Sequence, residues 1–185
     1  MKLVVSLLSS LKENRCMGTI KNLIDEKGLK KLKELIDSAS MCHFVTALDH
    51  KPLSSRPMST QEVDEEGNIW FFSPKSSQKN QDIEMSSEVQ LFYSQSGASE
   101  FLTVYGHAEI LVDHNRIERL WNPLLKAWFS EGQDDPDLTL IKVTPQDAYY
   151  WDTKNNRVIQ LVKLMAGALL GKPMDDGIEG RIKLS

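Results

Sequence analysis

The sequence predicts a mainly β protein, a small barrel carrying peripheral helices, and three observations lead there. Strand-like runs recur along the chain, turn signals separate them at short intervals, and only a few segments carry an apolar stripe at helical spacing. With 185 residues the chain can build one domain around a sizeable core. No repeat or low-complexity stretch marks a second domain. Residues 29–171 are expected as the domain with its C-terminal helix, 1–28 as an extension and 172–185 as a tail.

Each element has its own justification. Residues 28–39 predict a helix, with Leu29, Leu32, Leu35 and Ile36 on one face and the lysines and Glu34 on the other. Residues 43–48 read as a strand ended by the turn Asp49-His50-Lys51-Pro52. Strands over 55–63 and 69–73 are joined by a hairpin turn at Glu65-Glu66-Gly67-Asn68. A short helix over 77–86 turns Ile83 inward, with Met85 a second candidate. Strands follow at 89–94 and 101–112, the second long enough to bend near Gly106. Residues 115–129 are amphipathic: Ile117, Leu120, Trp121, Leu124, Leu125 and Trp128 recur at helical spacing, and Pro123 either kinks the helix or begins a new turn. An acidic loop at 131–137 precedes strands at 138–143 and 148–152. Residues 158–170 form a further apolar-striped helix, which Gln160 and Lys163 mark as packing on the protein.

Composition narrows the function classes. The net charge of −4 argues against a nucleic-acid binder. Cys16 and Cys42 form no metal or redox spacing, which fits a reducing cytoplasm. No apolar run approaches the roughly twenty residues of a membrane span. Lys2 and the apolar run over 3–11 outline a secretory signal, but Lys12-Glu13-Asn14-Arg15 approaches a cleavage site poorly, and Met17 is an alternative start.

The chemistry concentrates in Arg56-Pro57-Met58-Ser59, Trp70-Phe71-Phe72-Ser73 and Ser76-Ser77-Gln78-Lys79. A cationic strand, an aromatic strand and a serine-lysine turn opening a helix suit a flat aromatic cofactor that carries a phosphate. Arg56 offers a planar fork and Lys79 a compact charge. Ser76 and Ser77 stand where free backbone N–H groups and the helix dipole favour an anion. Taken singly, Arg56 reads as a surface charge on an edge strand and Ser77 as an N-cap; the combination points to phosphate. Alternation lets at most Trp70 and Phe72 share a face. His43, His50, His107 and His114 show no zinc spacing. Cys42 and His43 diverge on a strand and read as packing. Asp134, Asp135 and Asp137 lack the glycine and terminal glutamate of a calcium loop. No P-loop, GxSxG or dinucleotide fingerprint occurs, so any reaction belongs to a cofactor.

At this point the sequence resembles a known family. Leu53-Ser54-Ser55-Arg56-Pro57-Met58, Ile69-Trp70-Phe71-Phe72-Ser73 and Ser76-Ser77-Gln78-Lys79 match in order. Later matches are Val104-Tyr105-Gly106-His107-Ala108-Glu109, the run from Leu120 to Phe129, and Ala148-Tyr149-Tyr150-Trp151-Asp152. The pattern is similar to the pyridoxamine 5′-phosphate oxidase-related FMN-binding split barrels, in particular the general stress protein 26 branch. That resemblance implies a homodimeric six-stranded split barrel with FMN between subunits. It implies that Arg56, Pro57, Met58 and Ser59 line the flavin and its phosphate. Phe72 and Ser73 would lie beside the ring and ribityl chain, Ser77, Gln78 and Lys79 on the phosphate, and Trp151 would reach over from the partner chain. Gln78 departs from the arginine common in true oxidases, and the tail Gly180-Arg181-Ile182-Lys183-Leu184-Ser185 lacks their arginine-histidine segment. The expectation is therefore a cytoplasmic flavin-dependent oxidoreductase that uses a small-molecule electron donor and is not a true pyridoxine 5′-phosphate oxidase. The alternatives are a flavin binder without turnover, or a split barrel holding deazaflavin or haem.

Overall fold

The structure is a computed structural model that describes residues 19–95, 97, 99–153 and 177–184. The helix expected over 158–170 and Arg157 lie outside the described residues.

One ten-stranded sheet dominates. Strands β1 (Thr19–Ile20) and β2 (Leu23–Ile24) precede α1 (Asp25–Ala39). The helix starts three residues before its expected start at Gly28, because Gly28 is an interior position pressed on the sheet: a Cβ there would stand 3.1 Å from Ile182. Its apolar stripe of Leu32, Leu35 and Ile36 is buried as read. Strand β3 (Met41–Thr46) follows, and the chain leaves it at Ala47, whose φ of 53° and bond from His50 N–H belong to the turn.

The strand expected over 55–63 is two strands, β4 (Ser54–Ser59) and β5 (Glu62–Val63). Between them the chain changes partner. Thr60 N–H bonds Ser40, while Gln61 N–H bonds Trp70 on β6 (Ile69–Pro74). The hairpin turn is held by Asp64, which accepts from the backbone N–H of Glu66 and Asn68, with Gly67 at φ 84°. Helix α2 (Gln78–Met85) buries Ile83 but leaves Met85 81% exposed, against the reading that turned it inward.

Strands β7 (Glu88–Gln95) and β8 (Glu100–Leu111) pair antiparallel. At Tyr105–Gly106 the pairing of β8 with the facing strand shifts register, the extra residue being Gln146 of that strand, and the Gly106 backbone meets Thr144 too closely for any side chain. The expected pair of final strands is one strand, β9 (Leu138–Thr153); Pro145 is tolerated inside it because it adjoins the bulge residue Gln146. Residues 115–129 divide. Helix α3 (His114–Leu120) ends before a 3-10 turn at Pro123–Ala127, so Pro123 begins a new turn. The 3-10 period breaks the stripe read at helical spacing: Leu125 and Phe129 are buried, whereas Leu124 and Trp128 are 80% and 69% exposed. Finally, β10 (Gly177–Lys183), expected within a tail, pairs antiparallel with β9 and parallel with β1 and β2.

The pairings form a circuit. β4 pairs β3, then β7, β8, β9 and β6 follow in turn, and β6 pairs β5, the continuation of β4. The main core gathers Leu32 and Ile36 with Phe44, Phe71, Leu91 and Val104. Phe44 and Phe71 meet edge-to-face at 5.2 Å. A second cluster, with Trp70, Phe72, Ile117 and Phe129, lies on the other face of β6. Both faces of β6 are thus covered, and alternation decides which aromatic goes where. No helix among the described residues is long and apolar enough to cross a membrane.

Cys42 is a free, buried thiol, pushed up to about 12 by burial. The folded protein should therefore leave Cys42 unlabelled by iodoacetamide at mildly alkaline pH and expose it only on unfolding. Stoichiometric alkylation of Cys42, located by peptide mass mapping of the native protein, would contradict this placement.

Candidate functional site

Strand β4, the end of β3 and the first turns of α2 meet at one end of the sheet. Alternation along β4 turns Arg56 and Met58 to one face and Pro57 and Ser59, both exposed, to the other. Met58 packs against the main core. The Arg56 guanidinium is held from three sides: it donates to the Thr46 hydroxyl at 2.7 Å and to the Ser54 hydroxyl, and stands 3.6 Å from the Asp82 carboxylate. Burial pulls Arg56 below its ordinary value, and the Asp82 charge opposes that pull.

Lys79 completes the cationic pair. It is half-buried, and among the described residues it makes no hydrogen bond or ion pair. Burial, then the positive charge of Arg56, lower its affinity for a proton, while Asp137 acts the other way. Two cations lie close together here, and of the two only Arg56 has a carboxylate in ion-pair reach among the described residues. The N-terminus of α2 adds to this. Ser77 is its N-cap residue but makes no side-chain cap bond; its carbonyl accepts from Asn80 N–H, and its hydroxyl leaves the Gln78 and Lys79 N–H groups uncapped. That hydroxyl instead lies 3.4 Å from Ser73 and 3.3 Å from Asn80.

The remaining expected residues are placed as follows. Ser76 is committed elsewhere, its N–H and hydroxyl both bonding Asp137. Gln78 donates along the helix to Asp82 at 3.0 Å. Ser73 is fully buried and donates to Asn80; Asn80 in turn donates to Thr139 at 3.1 Å. This buried network fixes α2 against β6 and β9. Phe72 sends its ring into the second cluster, centroids 6.2 Å from Trp121 and 6.4 Å from Phe129, so its side chain serves packing. Trp151 stands on β9 between Phe101 and Glu179, 42% exposed, with Tyr149 at 4.7 Å. It shares the outer face with Ser59, but four strand spacings separate them, about 19 Å. Within one chain, then, Arg56, Ser77, Gln78 and Lys79 come together, and Trp151 does not join them.

Sequence reading missed Asp82 and Thr46. Asp82 follows Lys79 by three residues and Gln78 by four, so helical spacing already placed it beside them. Its carboxyl lies below the usual range. Burial raises it, but hydrogen bonds from Thr46 and Gln78, with the charge of Arg56, outweigh burial. Among the described residues no group of three or more histidines, cysteines or acids gathers as a metal site.

A family model described as pyridoxamine 5′-phosphate oxidase like matches residues 27–175. Protein bli-3 of Neurospora crassa is 27% identical over 141 residues, 70% of this chain and 68% of that protein. The crystal structure of a candidate general stress protein 26 from Jannaschia sp. CCS1 superposes with a TM-score of 0.66 at 22% identity, over 84% of this chain and 94% of that one, a likeness of fold. The general stress FMN/FAD binding protein from Xanthomonas citri gives a TM-score of 0.60 at 27% identity, over 70% of this chain and 90% of that one. The matched residues include β3 to β9 with Arg56 and the whole of α2, and the chain belongs to the pyridoxamine 5′-phosphate oxidase-like family.

Proposed function

We propose that this protein is a cytoplasmic, homodimeric FMN protein of the general stress class, and that Arg56, Lys79 and the N-terminus of α2 hold the flavin phosphate. The observation that carries the reading is Lys79: a half-buried cation beside a second cation, without a hydrogen bond or ion pair among the described residues. The site holds one phosphate-sized patch of charge, and the sequence carries no dinucleotide fingerprint, which favours FMN over FAD. The name of the Xanthomonas citri relative supports a flavin but does not choose between the two. The circuit of strand pairings supports the six-stranded split barrel, with β1, β2 and β10 added to it.

Bound FMN would supply a ring that accepts and passes on a hydride. The chain's own residues anchor its phosphate end, and β4, an edge strand exposing Pro57 and Ser59, offers a backbone border for the ring. Trp151 is too far along the sheet to reach that border within one chain. A two-fold partner would bring its own copy across, and this is how the tryptophan enters the proposal.

The test is the protein's colour and what it releases. Purified protein should be yellow and should release FMN on denaturation. Added NADH or NADPH should bleach the flavin without oxygen, and air should restore it. A flavin that stays oxidised with both donors makes this a binder without turnover. A deazaflavin or haem spectrum removes the FMN reading.

Pyridoxine 5′-phosphate should not be oxidised at a useful rate by the FMN-loaded protein. A substrate phosphate must be gripped so that its reacting carbon lies over the ring, and such positioning is worth on the order of 7–11 kcal/mol at its extreme. Arg181 offers little grip: its side chain is 69% exposed and lies 4.0 Å from Asp147, on a strand bonded to β9. Robust formation of pyridoxal 5′-phosphate, lost in Arg181→Ala, would reverse this conclusion.

A further inference from the structure

An acid stands inside a site whose ligand is an anion. Asp82 is 11% exposed, one turn along α2 from Lys79. Thr46, which has no exposure, links the two sides: its hydroxyl accepts from Arg56 and donates to Asp82. Gln78 donates to the other carboxylate oxygen. With Asp137 near Lys79, two cations face two carboxylates. A phosphate monoester brings close to two further negative charges at neutral pH. Tight retention alone does not call for Asp82, since an asparagine would accept from Thr46 equally well and carry no charge.

We propose that Asp82 sets the phosphate affinity of this site: it fixes Arg56 in place and at the same time cancels part of its charge, so that a phosphate-bearing ligand is held exchangeably. This rests on reading the site as the flavin phosphate site. Asp82 acts through Arg56 and is a positioning residue. The protein then binds flavin phosphate less tightly than Arg56 and Lys79 alone would allow.

Asp82→Asn preserves size and the acceptor facing Thr46, and Arg56 retains Thr46 and Ser54. FMN should bind Asp82→Asn about tenfold more tightly than wild type, because one partly buried carboxylate near the phosphate is gone. Riboflavin has the same ring without the phosphate and should bind both proteins equally. Asp82→Glu keeps the charge and should return FMN affinity to the wild-type value. A purely structural role predicts weaker binding of both flavins to Asp82→Asn; that result, or unchanged FMN affinity, overturns the proposal. If Asp82→Asn does not fold, the wild type decides by salt. A fall in FMN affinity below about fivefold between roughly 0.05 and 0.5 M sodium chloride supports a charge-balanced site, and a larger fall overturns it. If the wild type binds neither flavin, the flavin reading fails and inorganic phosphate decides instead. A larger thermal shift by inorganic phosphate in Asp82→Asn than in wild type supports the inference, and an equal or smaller one overturns it.

Discussion

Arg56→Ala and Lys79→Ala together should abolish FMN retention through gel filtration, and each alone should weaken it. A charge-assisted hydrogen bond contributes about 1.5–3 kcal/mol, so one substitution should cost roughly tenfold to a hundredfold in affinity. The two changes differ in their effect on the apoprotein. Arg56→Ala removes the cation beside Asp82 and leaves a carboxylate 11% exposed without its charge partner, so the melting temperature should fall. Lys79→Ala removes a half-buried cation that makes no ion pair among the described residues and is pressed by Arg56. Its apoprotein should be as stable as wild type or more so, while FMN binding weakens. Titration by flavin fluorescence quenching, read beside apoprotein melting, separates the two effects. Unchanged FMN affinity in the double variant would falsify the site.

The second large effect concerns assembly. Phe101, Val104 and Leu111, apolar residues of β8, do not make one face for a dimer to bury. Alternation on β8 forbids that set, because Val104 points opposite to Phe101 and is fully buried. The exposed face instead carries Met41, Phe92, Phe101 and Trp151, each between 42% and 54% exposed on neighbouring strands. A cyclic dimer covers such a self-complementary patch in the commonest way. Wild-type protein should sediment as a dimer. Phe101→Asp with Trp151→Glu should yield monomers at micromolar concentration, since two central anchors of about 2 kcal/mol or more each are lost and carboxylates are desolvated. The variant chains should still fold, because both side chains are exposed in the single chain. Monomeric wild-type protein with FMN fully bound would sink both the dimer and the shared site.

Periodicity read well where one element meets one partner. Helix α1 and strands β3, β7 and β8 came out within a few residues of their expected bounds, because each keeps one face in the main core. It failed where the chain changes partner. Thr60 and Gln61 sit within a run that reads as one strand, yet they pass from the β3 ladder to the β6 ladder. Pro145 lies between two runs that read as separate strands, yet the adjoining bulge at Gln146 keeps them one strand. Phe72 lies on a strand buried on both faces, which alternation alone does not reveal. In the candidate site, sequence chemistry singles out the charges Arg56 and Lys79, and the structure brings them close together. Asp82 escapes that reading, because an acid does not by itself suggest a phosphate site; the structure ties it to Arg56 through the Thr46 hydroxyl.

The pairing of β10 has a consequence for synthesis. Thr19 lies beside Ile178 and Leu23 beside Ile182, so β1 and β2 bond a strand made about 160 residues later. As the chain leaves the ribosome, the circuit from β3 to β9 can close before β10 exists. The earliest strands must wait for the last. Gly180 makes this late docking possible: the backbone of Lys21 passes so close to it that any side chain would block the approach. The first and last strands thus form a clasp fastened after the rest of the sheet. Its closing also completes the core, since Ile182 of β10 seats against Gly28 of α1 and joins the main cluster.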